Sequence, residues 1–219
     1  MKLRTWFTSL ALAMSLGWAL PAAGDGNEDD YGRSRIGGNK GPISWESLLS
    51  GDGLTGWRVT GSEWPPSAWT RDGETLVCDD TAGTHAPRLV QGDSTWAQYE
   101  FKVQATPVRV STMEIHFGLS EDGNEYYSLN YLSGWGAVAI SRRDATGLTK
   151  LDVVNHVLHF GQEYDVVLAI RGHSITSYIN GQLVNRLTVD TPVSGPIGLV
   201  VWGKHGVARF REPKIRHYN

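Results

Sequence analysis

The 219-residue sequence predicts an all-β fold built as a two-sheet jelly-roll sandwich. Three observations carry this. Segments in which apolar and polar residues alternate recur along the chain, as strands with one buried face require. Turn dipeptides with glycine punctuate them: Asp72-Gly73, Asp122-Gly123 and Asn180-Gly181. About a dozen such segments are too many for one open sheet, which would curl or split, so two stacked sheets follow.

Composition agrees. The 26 glycines and 9 tryptophans suit many turns and many aromatic surfaces. With 40% hydrophobic and 20% charged residues the chain is too apolar for global disorder. No heptad runs through it, which excludes a long coiled coil. The formal charge is −3, from 20 Lys plus Arg and 23 Asp plus Glu. No basic stripe is present, so nucleic acid is not an expected partner.

Met1 to Gly24 reads as a secretory signal. Lys2 and Arg4 supply its positive start, Trp6 to Leu20 its uncharged apolar stretch, and Ala22-Ala23-Gly24 its cleavage site. The apolar stretch is shorter than the roughly 20 residues that span a bilayer, so cleavage is expected to leave no membrane span. That places the mature protein outside the cytoplasm, secreted or periplasmic. Residues 25–42 are glycine-rich, charged and without periodicity, and read as a flexible linker. The folded domain is then 43–219.

Within it, Ser44 to Leu49 reads as a single short turn. Glu74 to Cys78 alternates, with Cys78 sharing the face of Leu76. As the lone cysteine, Cys78 excludes an internal disulfide and a cysteine zinc cluster, and reads as a small buried hydrophobe. Tyr99, Phe101 and Val103 form one apolar face, and Met113, Ile115 and Phe117 another. Tyr127, Leu129 and Tyr131 form a third. Val166 to Ile170 is a continuous apolar run. Ser174 to Val184 reads as a hairpin turning at Asn180-Gly181.

Several of these segments resemble a known family. They are Trp45-Glu46-Ser47-Leu48-Leu49-Ser50-Gly51-Asp52-Gly53-Leu54-Thr55-Gly56-Trp57, Trp69 to Leu76, Tyr99-Glu100-Phe101 and Asn180-Gly181. Gly195-Pro196-Ile197-Gly198-Leu199 and Gly206 to Arg211 complete the set. Together they resemble the 3-keto-disaccharide hydrolase domain family over about Ser44 to Ile215. The resemblance implies a concanavalin A-like lectin and glucanase sandwich, with Trp45, Trp57 and Trp69 as packing residues. It also implies an exported, carbohydrate-active protein. The middle of the chain departs from the family's pattern. Ser111 to Phe117 stands where the family carries an Asn-Ser-Gly run, and Tyr126 to Tyr131 where it shows Glu-x-Gln.

In such sandwiches the polar face of the concave sheet holds the ligand. Alternation puts Glu114 and His116 on one face of their strand, ~7 Å apart, and Tyr126, Ser128 and Asn130 on one face of the next. If the two faces coincide, a cleft gains an acid, an imidazole, a phenol and an amide, which suits sugar hydroxyls. The alternative is a solvated face. In the enzymatic reading Glu114 or His116 is the base, the other or Tyr126 assists, and the substrate is a 3-keto-glycoside. Ser128, Asn130, Trp135, Arg142 and His85 are the candidate substrate-binding residues. Trp135 lies between glycines in a loop, Arg142 at a strand end, and His85 in a polar loop that would rim the cleft. Tyr131 and Trp202 are further aromatic platforms or core residues.

The strand at Glu114 lacks the second carboxylate of a retaining glucanase. Glu121, Asp122 and Glu125 read as a solvated loop. His156 and His159 fall on opposite sides of an extended segment, so no metal site is expected. No cofactor is implied, with calcium left open. A non-catalytic sugar-binding module, lectin-like or laminin G-like, is the alternative function, and a structural envelope domain the third. Oligomeric state is not legible.

Overall fold

The computed structural model describes residues 44–60, 68–80, 88–203 and 205–218. The expected signal and linker lie outside these residues, as does His85. Fifteen strands occur among the described residues and no α-helix. They are β1 (Glu46–Ser47), β2 (Arg58–Thr60), β3 (Trp69–Asp72), β4 (Thr75–Asp79) and β5 (Arg88–Gln91). Next come β6 (Tyr99–Arg109), β7 (Thr112–Phe117), β8 (Tyr126–Leu132), β9 (Ala137–Asp144) and β10 (Gly147–Asn155). The last five are β11 (Tyr164–Arg171), β12 (Ser174–Ile179), β13 (Gln182–Thr188), β14 (Ile197–Trp202) and β15 (Val207–His217).

Two antiparallel sheets result. One runs β13-β12-β11-β6-β15-β4-β3, with β1 added beside β15 through Glu46 opposite Ile215. The other runs β10-β9-β8-β7-β14-β5-β2. Sequence neighbours pair wherever a tight turn allows. Asn180 (φ 49°) and Gly181 (φ 77°) form the two-residue turn between β12 and β13. Positive φ at both positions is what a type I′ hairpin needs. The long crossovers bring β6 between β11 and β15, and β14 between β7 and β5.

The core lies between the sheets. Tyr99, Phe101, Val103, Leu168, Ile170, Ile175 and Phe210 come from one side, and Ile115, Phe117, Ile140, Ile197 and Leu199 from the other. At one edge the sheets are tied by a polar contact. Buried Asn185 of β13 donates from Nδ2 to Asp152 Oδ2 of β10 at 3.0 Å, and Ser177 Oγ donates to Asn185 Oδ1 at 3.0 Å.

Two local expectations are revised and one open choice is decided. Ser44 to Leu49 holds the short strand β1, because its backbone finds partners on β15. Trp57 and Trp69 are buried, but Trp45 is only partly so and sits under the Arg216 guanidinium, 4.6 Å from its ring centroid. Tyr131 is a core residue whose hydroxyl donates to the Leu158 carbonyl at 2.5 Å.

Candidate functional site

The inward residues of β7, β8, β9 and β14 all enter the core, so their alternate residues share the outer face of the second sheet. Register aligns them in rows. One row runs Arg58, Val90, Gly198, His116, Ser128, Ser141, Lys150 from β2 to β10. The next runs Val200, Glu114, Asn130, Ala139, Val153. Glu114, His116, Tyr126, Ser128 and Asn130 therefore lie on one continuous face.

Glu114 and His116 form a pair. His116 Nε2 lies 2.5 Å from Glu114 Oε2. The imidazole is fully buried, while the carboxylate side chain keeps 13% of its surface exposed. Burial pushes the His116 pKa below its ordinary value, against the pull of Glu114, and the Arg88 charge pushes the same way as burial. A neutral imidazole beside a carboxylate donates Nε2–H to it, which leaves Nδ1 as the lone-pair nitrogen. Nδ1 is buried and has no hydrogen-bond partner.

The Tyr126 ring stacks on His116, with centroids 4.0 Å apart and planes at 15°. Burial and the Glu114 charge raise its phenol pKa, while Arg88 and Arg143 oppose them. The hydroxyl is therefore protonated at neutral pH. Beyond this stack Asn130 Nδ2 donates to Ser141 Oγ at 2.8 Å. Asn130 Oδ1 and Ser128 Oγ are buried without partners. Buried polar atoms are rarely left so unless something else completes them.

A cavity of about 300 Å³ opens on the β14 side of the pair. His116, Arg58, Arg88, Val200 and Trp202 line it, with the loop Ser120 to Asn124 as its rim. Trp202 is 38% exposed and offers a ring face there. The Asp122 carboxylate is held by its own loop. It accepts from Ser120 Oγ at 2.6 Å and from the Asn124 backbone at 3.0 Å, which holds its pKa below the usual range.

Other expected residues fall elsewhere. Trp135 ends a 3-10 turn, Ser133–Trp135, and is 66% exposed beneath Lys150, whose Nζ is 4.5 Å from its ring centroid. Its neighbour Lys150 belongs to the outer face, so Trp135 marks the β10 end of it. Arg142 is not brought to the cluster. It has the inward parity of Val138 and Ile140, lies 5.9 Å from the Tyr127 ring centroid and pairs with Asp144. Its neighbour Arg143, opposite Tyr126, takes the outer face instead. Alternation from Ile140 onward carried that signal.

Arg88 was not singled out from the sequence. Its Nη1 donates to the Gly123 carbonyl at 2.9 Å, and its guanidinium carbon lies 4.8 Å from the Tyr126 ring centroid. Its place shows only once β5 is set beside β14. Among the described residues, no group of three or more His, Cys, Asp or Glu side chains is placed to hold a metal ion.

Comparison with known proteins agrees with this picture. Residues 44–216 match the 3-keto-alpha-glucoside-1,2-lyase-like domain. An extracellular exo-alpha-L-arabinofuranosidase of Streptomyces chartreusis is 31% identical over 154 residues, 66% of this chain. The match spans only 17% of that relative's length. The β-glucanase of Bacillus licheniformis superposes with TM-score 0.63 at 14% identity, covering 81% of this chain and 98% of that one. The carbohydrate-binding module CBM66 of Bacillus subtilis gives 0.61 at 14% identity, covering 74% and 95%. At these identities the two structures show the sandwich fold.

Proposed function

The chain belongs to the 3-keto-alpha-glucoside-1,2-lyase-like domain family, and we propose that it is an exported enzyme cleaving 3-keto-glycosides by elimination. The observation that carries this is the Glu114–His116 pair, whose buried imidazole stands in the wall of the cavity of about 300 Å³. The extracellular relative and the signal-like residues Lys2 to Gly24 support export.

A ketone at C3 acidifies the hydrogen on C2. Glu114 is the base, because it keeps accessible surface while His116 has none. His116 fixes the carboxylate through Nε2–H, and its Nδ1 accepts a hydrogen bond from a ligand hydroxyl. Removal of the C2 proton places the electron pair in the C3 enolate. When the C3 carbonyl re-forms, a C1=C2 double bond forms and the C1–O bond breaks. The departing oxygen takes a proton from the Tyr126 hydroxyl. Addition of water across the double bond would return the free 3-keto sugar. Ser128, Asn130 and Trp202 bind sugar hydroxyls and ring faces.

The test is incubation of the purified protein with 3-keto-disaccharides and their unoxidised parents. Release from the keto forms alone, with exchange of the C2 hydrogen for solvent deuterium, is the expected result. Binding with no release would favour the sugar-binding module, and release from the parents would point to ordinary glycoside hydrolysis.

A further inference from the structure

Deprotonation beside a ketone needs more than a base. Negative charge develops on the ketone oxygen, and a fixed positive group there lowers the barrier most. Glu114 is assigned as the base, and the His116 Nε2 is already engaged with it. Tyr126 is assigned to the leaving oxygen. The electrophile has to come from another side chain.

We propose that Arg88 is a catalytic residue that stabilises the enolate oxygen at C3, which extends the elimination reading above. Arg88 lines the cavity shared with His116. It is held on three sides. Nη1 is anchored on the Gly123 carbonyl, the guanidinium rests against Tyr126, and its stem runs over Gly198. A Cβ at Gly198 would come within 2.9 Å of Arg88 Cδ, and a Cβ at Gly123 within 2.9 Å of Nη1. Gly198 is not among the positive-φ glycines, so its backbone makes no demand for glycine. The room is needed by the Arg88 stem. Nε is buried and without a hydrogen-bond partner, which leaves a donor unspent. Among the described residues this is a cation fixed in advance beside the base and acid.

Arg58 also lines the cavity, but it sits three strands from His116, one further than Arg88, and donates from Nη1 to the Gly92 carbonyl at 2.9 Å. Arg143 faces the opposite flank, beside Tyr126 and outside the cavity lining.

The experiment compares Arg88→Met and Arg88→Lys with wild type on a 3-keto-disaccharide, with kcat and KM separated. The expected result for Arg88→Met is a fall of about a hundredfold or more in kcat with KM changed far less. Arg88→Lys, which keeps the charge, recovers part of the rate. C2 deuterium exchange on a 3-keto-monosaccharide, which has no aglycone to lose, falls in parallel. Thermal unfolding of each variant separates misfolding from chemistry. Gly198→Ala, which shifts the Arg88 stem and leaves its charge, is expected to lower kcat in the same sense. Undiminished kcat in folded Arg88→Met, or a change confined to KM, overturns the role. A wild-type protein inert toward every keto-glycoside overturns the elimination reading itself, so the two failures are distinguishable.

Discussion

Glu114 and His116, two residues apart on β7, face the same side of the sheet with Oε2 and Nε2 2.5 Å apart. An ordinary strand separates such side chains by ~7 Å, so the two lean together. The contact is charge-assisted and shielded from water on the imidazole side. In the proposed reaction the carboxylate, 13% exposed, acts as the base and the closed imidazole fixes it.

Glu114→Gln keeps the shape of this pair and removes the base. The expected loss in kcat is about 10²- to 10⁴-fold, with folding intact by circular dichroism. His116→Gln is expected to lose less, because it removes the orienting group and leaves the carboxylate. Steady-state kinetics on a keto-disaccharide check both.

The same histidine makes stability depend on pH. Its folded pKa lies below the ordinary value near 6.5 because burial penalises its charged form. Above that value both folded and unfolded states are neutral there, and nothing is lost. As pH falls through it, the unfolded chain binds a proton that the folded protein refuses, so stability declines. The decline stops at the depressed folded pKa. Urea midpoints between pH 8 and pH 5 are expected to show this slope in wild type and a flatter one in His116→Gln.

Carboxylates act lower on the scale. The Glu163 pKa is depressed by Arg211, and the Glu212 pKa by Lys214. Their contribution is present above the ordinary carboxylate pKa and is lost as pH falls through the depressed values. The Glu163–Arg211 pair is exposed, so the expected change on Glu163→Gln is small, within ~1 kcal/mol.

Cys78 is fully buried, and its thiol is pushed up to about 12, by desolvation first and by Asp80 and Asp79 next. In native protein it is expected to be inert to a thiol-reactive dye at pH 8 and to react once unfolded. Rapid labelling of the native state would contradict its burial.

Phe210 is fully buried and packs its ring 5.9 Å from that of Trp69. Phe210→Ala is expected to cost ~3–5 kcal/mol, as seen in denaturant unfolding.

Alternation in Met113 to Phe117 and Tyr126 to Tyr131 made the sandwich and the sharing of faces legible. It placed Glu114 with His116, and Tyr126 with Ser128 and Asn130. It did not show that the two faces meet, nor that His116, Ser128 and Asn130 are buried on theirs. The placement of Arg142 needed only a longer count from Ile140. Arg88 needed more: it reaches Tyr126 and Gly123 only because β5 lies beside β14 and Gly198 leaves the path open.

The sequence by itself determined the strands, their inward faces and the tight turns such as Asn180-Gly181. These follow from period two and from backbone freedom at single residues, both local properties. Only the tertiary structure decided which strands lie side by side, in what register, and with which polar atoms closed off from water. Those outcomes depend on the crossovers that carry β14 next to β7 and β5. They also depend on the packing of both sheets around Phe101, Phe117 and Phe210. No window of neighbouring residues contains that information, because the groups that meet at Arg88, His116 and Tyr126 come from three separate strands.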